Sequence, residues 1–397
     1  MITVADSADR NARRLTALAY FMLMAIGVTF SLAGVATKQI AATFAVDTAL
    51  VGYVFTLFSV GYSAAILGNG FLLGRVDAGR ETAAAATAAG LTVAVATLLP
   101  TLEAFAAAIF VYGLSMGVLC SVGYYIIVNL YAETARAAKL NVLNFFFGTG
   151  SVVAPILAGQ ALQQGAEWQT VFQATVPLAA LAAAGALSVR FSFRPARPIA
   201  AGGGDSRWGP AVYVIGLALL CYVVSEMSFT YWLVTYLMDR LAADVATASL
   251  GLSLFWAAMA AGRLAAGPLI GRLGVRRYIG QSLLLATAAF TALLAAPSPL
   301  LALAFTAVMG LGYSGLYATV LSYGTQQVAG PSPRLTTFFL TIGAGGGILA
   351  LLLSSWLMQL FGVRTVLEVA AGLLIAMAAL VWAAGRGRRW AGGGEKE

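Results

Sequence analysis

A single carboxylate in this 397-residue chain stands deep inside a long apolar run. Glu226 lies sixteen residues after Pro210, in a stretch that stays mostly apolar to Tyr236. The other acids fall near the ends of apolar runs or between them. Water-poor surroundings disfavour the charged form of a carboxyl, so such a group can take up and release a proton as its access to water changes. The other reading is a protonated acid hydrogen-bonded to a neighbouring tyrosine or carbonyl, bracing its helix. At helical spacing Tyr222, Glu226 and Thr230 share one stripe, and Trp232 follows toward the far end. Tyr313 and Tyr317 share a face, and so do Ser121, Tyr125 and Asn129. Asn144 is a further polar group in apolar surroundings. Aromatic faces with a few hydroxyl and amide groups suit sugar-like or amphipathic solutes, because rings pack on apolar faces while polar groups fix orientation. Interhelical packing, or an interfacial position for Trp232, would explain the same residues.

Other chemistries lack their residues. The chain has no histidine, which removes the commonest metal ligand and the usual proton shuttle near neutral pH. Its two cysteines, Cys120 and Cys221, both sit in apolar runs and read as small core residues. No phosphate-binding glycine loop, zinc spacing or catalytic triad is present. No enzyme, cofactor or metal is therefore expected.

The elements that must position these residues are membrane helices. Hydrophobic residues make up 60% of the chain and charged residues 10%. A soluble globular domain carries about 25% charged residues. The apolar runs are roughly 20 residues long, the length a helix needs to cross a bilayer. Strands of a membrane barrel would alternate over about ten residues, and nothing here does. The expected spans are 15–37, 49–73, 82–100, 104–131, 139–162 and 169–189, then 210–237, 245–270, 277–296, 299–325, 334–360 and 364–385. The polar start through Arg14 and the long run after it read as a first span, with no cleavable signal peptide.

The net charge of +8 follows from orientation rather than from a nucleic-acid partner. With both termini in the cytoplasm, of the 23 Lys and Arg residues only Lys38, Arg240 and Arg364 fall outside. An odd number of spans would spoil this bias, so twelve is the expected count. The expected setting is a bacterial inner membrane, and the expected state a monomer.

The two halves resemble each other. Gly70-Phe-Leu-Leu-Gly74-Arg75 follows the second span of its half, and Gly267-Pro-Leu-Ile-Gly271-Arg272 follows the second span of the other, 197 positions later. The same offset carries Gly113-Leu114 onto Gly310-Leu311. This gives a six-helix bundle over 1–189, a linker over 190–209 rich in Arg, Pro and Gly, and a second bundle over 210–397. Two parallel six-helix repeats are a transporter architecture with a solute site near the bilayer midplane.

With these motifs in view, the chain resembles the major facilitator superfamily over nearly its whole length. The loops Gly70–Arg80 and Gly267–Arg277 are similar to that family's loop signature of glycine and basic residues. Both copies carry glycine, Gly74 and Gly271, where the family has aspartate, and Asp77 stands three residues late. Gly70, Arg75, Asp77, Arg80, Arg263, Gly267, Arg272 and Arg276 are the gating residues the resemblance implies. Arg263, near the inner end of its span, could snorkel to the interface or pair with a loop acid such as Asp77. Within the superfamily the likeness is to the fucose:proton symporter group, and inside it to the TsgA-like branch. It is carried by Cys221–Trp232, Gly310–Thr319, Gln326-Gln327 with Pro331–Arg334, and Asn144–Gly148 with Pro155. Sugar symporters of the group carry an acid and an asparagine in the fourth span, where this chain reads Leu119-Cys-Ser-Val-Gly-Tyr-Tyr125.

The resemblance implies an all-α membrane protein with twelve helices in two pseudo-symmetric bundles. Spans 1, 4, 7 and 10 would line a central cavity, and alternating access would move a small solute, with protons as the coupling ion at Glu226. Proton-coupled symport of a small neutral polar solute such as a sugar is the leading expectation. Proton-coupled efflux of a drug or metabolite, or an uncoupled facilitator, are the alternatives.

Overall fold

The computed structural model describes residues 4–73, 75–191, 208–327 and 333–391, and these residues divide into two compact units, Met1–Ala200 and Ala201–Glu397. Most of the expected linker, together with Gly74, Pro331 and Ser332, lies outside the described residues.

The first unit contains α1 (Val4–Thr43), α2 (Thr48–Leu72), α3 (Ala78–Ala96), α4 (Leu102–Leu130), α5 (Glu133–Gln163), α6 (Trp168–Gln173) and α7 (Val176–Ser188). Side-chain caps start three of these helices. Asp47 accepts from the Ala49 N–H, Asp77 from the Arg80 N–H and Thr101 from the Ala104 N–H, each satisfying a donor that a helix N-terminus leaves unpaired. Segments α6 and α7 make one rod, broken at Ala174–Thr175 just before Pro177. Glycines bring the rods together. A Cβ at Gly113 on α4 would strike the Phe58 carbonyl of α2, and one at Gly61 on α2 would strike the Phe110 carbonyl of α4. Gly27 on α1 and Gly150 on α5 make the same reciprocal approach. Such contacts let backbones close where lipid supplies no hydrophobic drive between helices.

The second unit contains α8 (Pro210–Leu241), α9 (Val245–Leu273), α10 (Val275–Leu294), α11 (Pro299–Tyr313), α12 (Leu316–Thr325), α13 (Pro333–Phe361) and α14 (Val363–Ala391). Gly274 (φ 79°) alone joins α9 to α10, and Gly362 (φ 82°) alone joins α13 to α14. A left-handed φ there lets the chain reverse within one residue. Segments α11 and α12 form the second broken rod.

Pairing α6 with α7 and α11 with α12 gives twelve rods among the described residues. Eleven helices among the described residues are long and apolar enough to cross a membrane. The exception is α3, whose sequence is filled by alanine and glycine with Arg80 and Glu81 at its start. Cys120 and Cys221 are both free and buried, as small core residues would be.

Candidate functional site

Glu226 lies midway along α8 and is 7% exposed. One turn earlier, the Tyr222 hydroxyl donates to Glu226 Oε1 at 3.1 Å and lies 3.3 Å from the Tyr313 carbonyl oxygen. That carbonyl is available because α11 ends at Tyr313. The rod breaks at Ser314–Gly315 before α12 begins, so carbonyls of the last turn lose their helical partners. Interrupted backbone within a membrane span must find partners in protein or water. Here side chains supply them: Tyr222 from α8 at the Tyr313 carbonyl, and Arg263 Nε from α9 at the Ser314 carbonyl, 3.3 Å away. A side chain at Gly315 would collide with the Tyr278 hydroxyl, so glycine holds this joint.

A second layer fixes the acid's neighbours. The Tyr313 hydroxyl shares a 2.7 Å hydrogen bond with Ser225 Oγ, which lies 2.6 Å from the Ala370 carbonyl on α14. The Tyr222 ring packs 5.5 Å from Tyr313 and 5.7 Å from Tyr317, centroid to centroid. Tyr317 is half-buried, its hydroxyl beside Gly343 of α13. The Arg263 charge acts on Glu226 with no direct ion pair among the described residues, and its guanidinium Nη2 lies 3.1 Å from the Met259 sulfur.

The structure thus brings together Tyr222, Glu226, Arg263, Tyr313 and Tyr317. Thr230 lies on the same stripe, but its hydroxyl donates to the Glu226 carbonyl of its own helix at 2.9 Å. Trp232 is fully buried and donates to Ser354 Oγ of α13 at 2.8 Å. It is not near the helix end, because α8 runs on to Leu241. Arg263 reaches the α11–α12 joint.

In the first unit the expected polar residues are partly turned inward on their own helices. Ser121 Oγ donates to the Gly117 carbonyl at 3.0 Å, and Asn129 Nδ2 to the Tyr125 carbonyl at 2.8 Å. Tyr125 is half-buried. Asn144 Nδ2 donates to the Leu140 carbonyl at 2.9 Å, while its Oδ1 accepts from Tyr124 at 2.8 Å and ties α5 to α4. Tyr124, next to the expected Tyr125, makes the bond between helices. Sequence reasoning also passed over an aromatic cluster: half-buried Phe30 of α1 meets buried Phe58 and half-buried Tyr62 of α2 at 5.3 and 5.1 Å and half-buried Phe147 of α5 at 6.1 Å. The adjacent tyrosines 124 and 125 were the signal for the first, and the run Phe145–Phe147 for the second.

The loop residues are placed less tightly. Asp77 serves as the α3 cap, Arg75 and Arg80 are exposed, and nothing crowds Gly70 or Gly267. Arg272 lies in the last turn of α9, and Arg276 in the first turn of α10 with its guanidinium against Gly385 of α14. Within the first unit an open groove of about 360 Å³ is lined by Asp77, Arg80, Arg190 and Phe191 among others. Its polar lining belongs to a helix cap and to surface arginines.

The sequence profile of the Major Facilitator Superfamily matches residues 17–213 and 215–394. The chain is 24% identical over 376 residues to a TsgA homolog of Serratia proteamaculans, covering 93% of this chain and 94% of the relative. It is 26% identical over 373 residues to a TsgA homolog of Edwardsiella ictaluri, covering 92% and 94%. These relatives agree with the TsgA-like resemblance seen in the sequence. Its fold is similar to that of the nucleoside transporter NupG, with TM-score 0.72, 17% identity, and coverage of 95% of this chain and 99% of that one. A peptide transporter, POT, solved in complex with sulfate gives TM-score 0.75 at 13% identity, covering 96% and 95%. With a profile that spans both units and a nearly all-helical architecture to match, the chain belongs to the Major Facilitator Superfamily, as a multi-pass membrane transporter and not an enzyme.

Proposed function

We propose that this protein is a proton-coupled secondary transporter of a small polar solute, with sugars and their derivatives the first class to test. Alternating access moves the solute, and Glu226 carries the coupling proton. The observation that supports this most is the hydrogen-bond chain at the broken rod. One hydroxyl hydrogen on Tyr222 cannot serve both Glu226 Oε1 and the Tyr313 carbonyl at full strength. A protonated Glu226 can donate to the Tyr222 oxygen and free the tyrosine hydrogen for the carbonyl. Loss of the proton forces the tyrosine back to the acid and leaves the carbonyl at the joint unpaired. Protonation is thereby linked to the hydrogen bonding of the α11–α12 break. The half-buried ring of Tyr317 beside this chain suits packing on the apolar face of such a solute.

The working unit is a monomer in the bacterial inner membrane with both termini cytoplasmic. The strong Lys and Arg bias toward one side supports that orientation.

The test begins with a thermal-shift panel of sugars, nucleosides, amino acids and cationic drugs on the purified protein. Any stabilising compound is then followed into proteoliposomes. An imposed inward proton gradient is expected to drive its accumulation, and an uncoupler to abolish it. Accumulation indifferent to the gradient would identify an uncoupled facilitator, and outward movement against the proton flow an antiporter.

A further inference from the structure

The role of Arg263 is not exhausted by its two contacts. It sits ten residues before the end of α9 at Leu273, about 15 Å along the helix. Its side chain is exposed. A guanidinium meeting lipid at that depth would be costly, so an exposed arginine on a membrane-spanning helix belongs beside water or a solute. Its Nε is held by the Ser314 carbonyl and one Nη2 hydrogen by the weak acceptor Met259 sulfur. Among the described residues no carboxylate forms an ion pair with it, although the Glu226 charge is close enough to interact. The other charged or titratable groups around Glu226 are Tyr222 of α8, Tyr313 of α11 and Tyr317 of α12.

We infer that the solute carries a carboxylate, which Arg263 binds through the guanidinium N–H groups its present contacts leave open, in place of the Glu226 charge. The inference rests on the reading of Glu226 as the coupling acid. A planar guanidinium fork matches a carboxylate in a way an ammonium does not. The charge balance then sets the order of events. When Glu226 is ionised, it compensates Arg263 and the solute carboxylate has no unpaired partner. When Glu226 takes a proton, Arg263 is left uncompensated and binds the anion. Proton and anion therefore enter together and their charges cancel. Among sugar derivatives this selects sugar acids over neutral sugars, a departure from the neutral solute expected from sequence.

The experiment measures thermal stabilisation and binding of the purified full-length protein with D-gluconate, D-glucuronate and L-lactate as probes, and with D-glucose for comparison. At least one carboxylate is expected to bind the wild type, with affinity falling as pH rises and Glu226 loses its proton. Arg263→Gln should abolish that binding. Arg263→Lys, which keeps the charge but not the fork and so controls for folding, should weaken it about tenfold or more. Glu226→Gln should keep the binding and lose its pH dependence. The inference is overturned if no carboxylate binds the wild type, or if carboxylate binding survives in Arg263→Gln. Gradient-driven accumulation of glucose that is lost in Glu226→Gln but unchanged in Arg263→Gln would overturn it too, while leaving proton coupling intact. Carboxylate binding lost in Arg263→Gln but equally pH-dependent in wild type and Glu226→Gln would uphold anion recognition and remove Glu226 as the coupling acid.

Discussion

The hydroxyl of Tyr222 lies 3.1 Å from Glu226 Oε1, one helical turn away, and also reaches the backbone carbonyl that the break in the tenth rod exposes at Tyr313. An acid's protonation state is thus tied to backbone hydrogen bonding at a joint between two helical segments. Tyr222→Phe removes the link but keeps the ring against Tyr313 and Tyr317. It should cost about 1–3 kcal/mol, because the Tyr313 carbonyl and the acid both lose a buried partner. Thermal unfolding in detergent measures the loss, and gradient-driven accumulation should fall in the same variant. A variant of wild-type stability and wild-type accumulation would show that the hydroxyl is idle.

Trp232 separates packing from solute contact. It is buried against α13 through Ser354, so Trp232→Phe should destabilise the protein by about 1–3 kcal/mol through the space it leaves. Solute affinity, measured on the folded fraction, should not change. A shift in affinity at unchanged stability would place Trp232 at the solute.

The glycine contacts predict a contrast between two conservative changes. Gly113→Ala places a methyl group against the Phe58 carbonyl and should cost about 1–3 kcal/mol by overpacking. Gly372→Ala on α14 meets nothing within contact distance and should be neutral or slightly stabilising. Paired melting curves decide this, and equal melting temperatures would contradict the close α2–α4 approach.

Asp244 caps α9 outside the membrane. The Thr247 N–H and hydroxyl donate to its carboxylate at 2.9 and 2.7 Å, and these bonds hold the carboxyl below its ordinary value of 3.8. A carboxyl lowered in the folded state contributes stability that is present above pH 3.8 and is lost as pH falls through the folded value. Asp244→Ala should therefore cost about 1 kcal/mol at neutral pH. The gap to wild type should close below about pH 3.8. A pH-independent gap would show that the charged cap contributes nothing.

The sequence made the rods and the buried acid visible for a simple reason. Apolar run length sets a membrane helix, and one carboxylate in the middle of such a run stands out. The stripe Tyr222–Glu226–Thr230 followed from helical spacing alone. What spacing could not provide was the rotation of each rod against its neighbours. Tyr124 and Tyr125 differ by one residue and about 100° around the helix, so only packing decides which one reaches Asn144. Spacing alone also does not say which carbonyl Arg263 meets: α9 continues past 270 to Leu273, and the side chain turns toward Ser314. The break at Ser314–Gly315 was hidden for a similar reason. Glycines also serve close packing, as at Gly310 against the Phe255 carbonyl, and nothing local marks which one ends a helix.

The most direct measurement records external pH while solute is added to proteoliposomes with no imposed gradient, for wild type and Glu226→Gln. Wild type should alkalinise the outside as solute enters, and Glu226→Gln should give no pH change while still exchanging labelled solute in counterflow. Alkalinisation of equal size in Glu226→Gln would contradict the account, because the proton would then travel with the solute by some other group.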